Sequence, residues 1–154
     1  MFSIRNVDDV QPIVTRDRLT EAQAGRYSDD ELASIQTSYF PHEGESLELF
    51  QLELAPDTQI GRHAHRSAEV VYVLKGELKF GALTARAGAA VFVDAMTLYA
   101  FRAGPEGCTF LNFRGVPGGG ILTPEELRAE RAEAPTSTPA VLGTPGLLSD
   151  VTAP

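Results

Sequence analysis

Covalent cross-links contribute nothing inside this chain of 154 residues, because Cys108 is its only cysteine. A single thiol cannot form an intramolecular disulfide, so the fold must rest on its core or on a bound metal. Long hydrophobic runs are also missing: no apolar stretch approaches the roughly 20 residues that a membrane helix needs. Met1 to Asn6 shows no basic segment leading into an apolar one, so no secretory signal is visible, and a soluble, reducing compartment, the cytoplasm, is expected. Positive charge is scarce, with 13 basic against 21 acidic residues and a formal charge of −8. That balance repels phosphate backbones and anionic lipid, which excludes nucleic acid and membrane surfaces as expected partners. Histidine is rarer still. His42, His63 and His65 are all there are, and two of the three fall in one His-x-His.

The remaining composition, 43% hydrophobic and 22% charged, is that of one globular domain of ordinary size. Residues 1–40 read as an N-terminal arm, in which Ser28-Asp29-Asp30-Glu31 has the spacing of a helix-starting capping box. Residues 41–116 read as the main body, where turn residues separate short strands. Phe50, Leu52 and Leu54 alternate with Gln51 and Glu53, and Val70 to Leu74 is a β-branched and aromatic run. Lys75-Gly76-Glu77 predicts a hairpin turn leading to Leu78-Lys79-Phe80. Strands are also expected at Ala90 to Val93, Leu98 to Phe101 and Thr109 to Phe113, with a loop at Gly104-Pro105-Glu106-Gly107 that would carry Cys108. Strands so short and closely spaced predict an all-β sandwich or barrel. In residues 117–154, Gly118-Gly119-Gly120 reads as a linker. Thr123-Pro124-Glu125-Glu126 announces a helix running to about Ala134, and a Pro-rich tail follows.

The chemistry is concentrated around the histidines. On an extended segment His63 and His65 point to one face, and Glu69, four residues on, has the same parity. Two neutral imidazoles and one carboxylate form the facial triad of non-haem iron oxygenases, which leaves the opposite coordination positions open. Arg62 and Arg66 have the opposite parity and read as surface residues. Asn112 stands in an apolar strand and needs a hydrogen-bond partner if buried. Glu48 shares parity with Phe50 but lies at a strand end, where contact with solvent is expected. Cys108 has no basic neighbour to activate it.

Gly61-Arg62-His63-Ala64-His65-Arg66-Ser67-Ala68-Glu69, followed by six residues and Gly76, resembles the first motif of the cupin superfamily. Ala87 to Tyr99 resembles the second motif in degraded form. Asp94 stands where the family usually has Pro, Met96 where it has Gly, and Tyr99 where its fourth ligand, His, is found. The resemblance covers about residues 47–114. It implies a jelly-roll β-barrel, here with an N-terminal arm and a short C-terminal helix, and a homodimer. It also implies a divalent metal (Fe, Mn or Ni, with Zn admissible) on His63, His65 and Glu69. Tyr99 would be a hydrogen-bonding neighbour of that ion or its fourth ligand, and a core residue is the bland alternative. The function expected on this basis is a quercetinase-like dioxygenase acting on a small organic molecule. The alternatives are a non-enzymatic ligand-binding or sensory barrel, or a cupin isomerase or decarboxylase.

Overall fold

A computed structural model describes residues 4, 6–14, 21, 25, 28–40, 47–115 and 120–133. The expectations for His42, Gly118, Gly119 and the Pro-rich tail lie outside these residues. The strands are β1 (Ile13–Val14), β2 (Ile35–Phe40), β3 (Glu48–Leu54), β4 (Gln59–His63), β5 (Glu69–Phe80), β6 (Leu83–Arg86), β7 (Ala90–Val93) and β8 (Tyr99–Arg114). Among the described residues two α-helices flank them, α1 (Asp29–Ala33) and α2 (Pro124–Glu133). All pairings are antiparallel, in the order β1-β2-β3-β8-β5-β6, with β4 also on β8 and β7 also on β5. No helix among the described residues is long and apolar enough to cross a membrane.

The organising pair is β5 and β8, which run side by side through the middle of the sheet. Here the structure corrects two expectations. Gly76 does not turn a hairpin, because β5 continues through it to Phe80, and the chain reverses after Phe80 to begin β6. Likewise Gly104 to Gly107 is not a loop but part of the sixteen-residue β8, so Cys108 is a buried strand residue. The physical reason is a shared bend. Gly76 pairs with Cys108 beside Gly107, and both glycines adopt positive φ (74° and 77°), which β-carbons disfavour. Register shifts in β5 on both sides of this point mark it as a bulge, and bulges kink and twist paired strands without separating them. Each long strand therefore serves both halves of the barrel.

Along the inner face the cross-strand rows change character in order. Leu54, Cys108 and Gly76 form one row; Leu52, Phe110 and Val73 the next; then Phe50, Asn112 and Val71; then Glu48, Arg114 and Glu69. The first two rows belong to the main core with Leu78, Phe101 and Ala103. In these four rows the polar side chains are thus confined to one end. The arm is joined to the sheet, since β2 pairs with β3 along its whole length and covers that edge, while Ile35 enters the core. α1 forms where the Ser28 pattern predicted, with the Leu32 amide donating to the Ser28 carbonyl (3.1 Å). α2 has the expected capping box. The Thr123 amide donates to Glu126 Oε2 (2.7 Å) and the Glu126 amide to Thr123 Oγ1 (3.2 Å).

The bend gives a stability test. A β-carbon at Gly76 would lie 2.1 Å from the Gly107 carbonyl oxygen, whereas one at Gly88, also at positive φ, meets nothing within 4 Å. Gly88→Ala should cost about 1–2 kcal/mol, from backbone strain alone. Gly76→Ala adds a backbone clash and should cost at least about 3 kcal/mol in urea unfolding. Equal losses would show that the close approach is not a constraint.

Candidate functional site

β4 ends at His63, which pairs with Tyr99 at the start of β8 after a register shift. Ala64, between the two histidines, is wholly buried and forms a two-way backbone bridge with Leu122 (2.9 and 2.8 Å). This bridge fixes the alternation, so both imidazoles turn inward: their ring centroids are 5.1 Å apart, and each is about 5% exposed or less. The segment that carries Leu122 continues into α2, which is tied back to the site at two points. Glu130 pairs with Arg66, and Arg131 donates to the Met96 carbonyl (2.7 Å). Met96 holds φ at 61°, in the region usual for the glycine it replaces, while its amide donates to the His65 carbonyl (2.7 Å). The strain of a non-glycine residue there is offset by hydrogen bonds that also place His65.

Glu69 begins β5 with its carboxylate pointing into the barrel, and the residue is 3% exposed. One oxygen, Oε2, accepts from Asn112 Nδ2 (2.9 Å) and from Arg114 Nε (3.0 Å). The other, Oε1, accepts from the Tyr99 hydroxyl. His65 Nε2 is 3.9 Å from Oε2. Burial alone would raise the carboxyl pKa, but His65, Tyr99, Arg114 and Asn112 together outweigh it and hold Glu69 below the ordinary carboxylate range. Burial beside this anion drives the Tyr99 hydroxyl far above its usual value, so it stays protonated and donates. His63 is held below the usual imidazole value chiefly by burial, against the Gly61 carbonyl and the Glu69 charge. It is therefore neutral at pH 7. Its Nδ1 lies 2.8 Å from the Gly61 carbonyl, which can only accept, so Nδ1 carries the proton and Nε2 keeps its lone pair.

His63, His65, Tyr99, Asn112 and Arg114 form the polar wall of a cavity of about 100 Å³, whose other side is apolar: Leu32, Ile35, Phe50, Leu52, Ile60 and Phe101. Ordinary ligand pockets run to roughly 300–1,000 Å³, so the space suits a molecule of a few carbon atoms.

His63, His65, Glu69 and Tyr99 are thus brought together, with Tyr99 as a hydrogen-bonding neighbour of Glu69. Asn112 finds its partner in Glu69, Arg62 is exposed, and Cys108, buried and near Glu77, has its thiol pushed up to about 11. Arg114 was not singled out in the sequence. Its parity with Asn112 and Phe110 marks it as inward-facing, but only the register opposite Glu69 makes it part of the site.

Whether the residues suit a metal depends on the carboxylate. The free Nε2 of His63 is a good donor. A facial triad with bonds of about 2 Å sets neighbouring donors about 3 Å apart. Glu69 instead has one oxygen committed to Arg114 and Asn112 and the other to Tyr99, with a guanidinium charge beside it. Among the described residues no group of three or more His, Cys, Asp or Glu side chains is disposed to hold an ion. In this arrangement the His63 imidazole fits a metal and the Glu69 carboxylate does not.

Acid should loosen this site in two stages. Below pH 6.5 the unfolded chain protonates the His63 imidazole before the folded one does, so stability falls there. Below pH 4.5 the same holds for the Glu69 carboxyl. Urea unfolding from pH 7 to 3 should show both losses, and Glu69→Gln, less stable at pH 7, should lack the lower one. A wild-type profile flat across that range would contradict these assignments. Tyr99→Phe removes a hydrogen bond to a charged acceptor and should cost about 1.5–3 kcal/mol at pH 7.

No family model matches the chain, and no curated protein matches it. Solved structures do. The polyketide cyclase RemF from Streptomyces resistomycificus aligns over 85% of this chain and 94% of its own, at TM-score 0.61 and 16% identity. The DMSP lyase DddQ from Ruegeria pomeroyi DSS-3 aligns over 76% of this chain and 62% of its own, at TM-score 0.60 and 14% identity. An RmlC-like cupin protein from Ralstonia eutropha JMP134 aligns over 85% and 83%, at TM-score 0.56 and 17% identity.

Proposed function

We propose that this chain, which has the cupin jelly-roll fold, takes a small organic molecule into the barrel and acts on it by proton transfer, with His63 as the base. The observation that carries this reading is the state of His63. It is buried, neutral and locked as the Nδ1–H tautomer, with a free Nε2 on the wall of an apolar cavity. A buried neutral imidazole is a competent general base near pH 7. Nε2 would take a proton from carbon next to a carbonyl, the C–H electron pair would move toward the carbonyl oxygen, and the Arg114 guanidinium would stabilise the charge that develops there. Where that carbon bears a hydroxyl, passage of the hydroxyl proton to the carbonyl oxygen and return of the first proton to the former carbonyl carbon completes an isomerisation. Glu69 is already satisfied by its three donors and acts as the fixed counter-charge of Arg114. Tyr99 holds that carboxylate in place. A small-molecule role on this fold is in keeping with the cyclase and the lyase among the similar structures.

The second reading is a metal-dependent dioxygenase of the quercetinase type, with Fe, Mn or Ni on His63, His65 and Glu69. The His63 tautomer favours it, since a metal needs the same lone pair. The commitment of Glu69 to Arg114, Asn112 and Tyr99 weighs against it, as does a cavity small for a flavonoid-sized substrate. A homodimer is supported by the outer sheet face, where Phe92, Val70 and Phe113 stand in one cross-strand row and Phe92 is 77% exposed.

Hydrogen–deuterium exchange at the α-carbon of 2-oxobutanoate and hydroxyacetone, followed by NMR in D₂O, separates the two enzymatic readings. Wild type treated with a chelator should still catalyse exchange, and His63→Gln should be slower by about 100-fold or more. Exchange that vanishes with chelator and returns with Fe, Mn or Ni would establish the second reading instead. No exchange of either compound, with or without metal, would remove proton transfer at this site.

A further inference from the structure

Two polar groups on the cavity wall have bonding capacity that the protein does not use. Asn112 is 4% exposed and lines the cavity, and its Oδ1 is buried without a hydrogen-bond partner among the described residues. Its orientation is fixed. Nδ2 donates to the ionised Glu69, and exchanging the two amide atoms would set an oxygen against a carboxylate. The orphaned acceptor is therefore a property of the site. A buried carbonyl oxygen left unpaired costs about 1–3 kcal/mol, which a ligand's donor would recover.

Arg114 lines the same cavity. Its Nε is used on Glu69, its guanidinium carbon lies 4.9 Å from the centre of the Phe50 ring, and its terminal nitrogens make no hydrogen bond to any described residue. The salt bridge and the stacking ring hold the planar group in place, so its unused N–H groups form a preset fork for two oxygens. Along β8, Asn112 and Arg114 are two residues apart on the inner face, in neighbouring rows. One acceptor and one cationic fork thus stand side by side, opposite an apolar wall and within about 100 Å³.

We infer that the ligand of this cavity is a short 2-hydroxy carboxylic acid. Its carboxylate is held by the terminal nitrogens of Arg114, its hydroxyl donates to Asn112 Oδ1, and its alkyl end lies against Phe50 and Phe101. This rests on the reading of the cavity as a small-molecule site and names the class of molecule. The net charge of −8 does not oppose it locally, because exposed charges more than about 8 Å away are largely screened at physiological salt.

The test is calorimetric titration of the full chain with 2-hydroxybutanoate, butanoate and 2-hydroxybutanamide. The hydroxy acid should bind one to one. Butanoate, lacking the donor for Asn112, should bind about tenfold more weakly, and the uncharged amide more weakly still. Arg114→Gln, which keeps an N–H for Glu69 but loses the charged fork, should reduce hydroxy-acid binding at least tenfold and so narrow the gap between the acid and the amide. Its circular dichroism and urea midpoint establish that it is folded. If the amide binds wild type as well as the acid does, or if butanoate equals 2-hydroxybutanoate, the inference is overturned and the small-molecule reading stands. If none of the three binds, both fail.

Discussion

An ionised carboxylate inside an apolar barrel is the constraint around which this end of the molecule is built. Taking such a group from water costs several kcal/mol even after relaxation, and that cost is met only if nearly every lone pair finds a donor. Glu69 has Arg114 and Asn112 on one oxygen and Tyr99 on the other. Each donor comes from β8, although Tyr99 and Arg114 stand at its opposite ends. Only because β8 bends can both ends reach one carboxylate. The bend at Gly76 and Gly107, remote from the site in sequence, is therefore as much a part of its design as the donors themselves.

The histidines depend on a different set of contacts. Their inward direction follows from β4 and from the backbone bridge between Ala64 and Leu122, and α2 holds that bridge through Glu130 and Arg131. The C-terminal helix is thus attached to the site through its Glu130 and Arg131 side chains, neither of which lines the cavity. Met96 shows the same economy. A position that usually needs glycine is kept at positive φ because its amide and carbonyl are both used, one on His65 and one on Arg131. The resulting pocket combines a neutral imidazole, a satisfied anion and a half-used cation.

Much of this was legible in the chain. Parity placed His63, His65 and Glu69 on one face, alternation marked β3, and Thr123 to Glu126 announced α2 with its cap. The cupin resemblance gave the fold that the similar structures bear out. What failed was reading Gly76 and Gly104 to Gly107 as turns. Glycine marks a place where the backbone departs from ordinary strand geometry, but a bulge and a hairpin use the same residue. Only the partner strand distinguishes them. The triad also drew attention away from Arg114, because a strand-end arginine gives no local sign of what lies across from it.

Residue order and parity, which are local, determined an all-β sandwich or barrel and the shared face of His63, His65 and Glu69, and the resemblance to the cupin motifs added the barrel and Tyr99. The use of those groups was decided by tertiary structure alone. Register set Arg114 and Asn112 against Glu69, engaged the carboxylate that a metal would need, and left Asn112 Oδ1 unpaired. Hydrogen bonds between side chains 30 to 45 residues apart depend on how two bent strands pair, and no spacing within either strand contains that information.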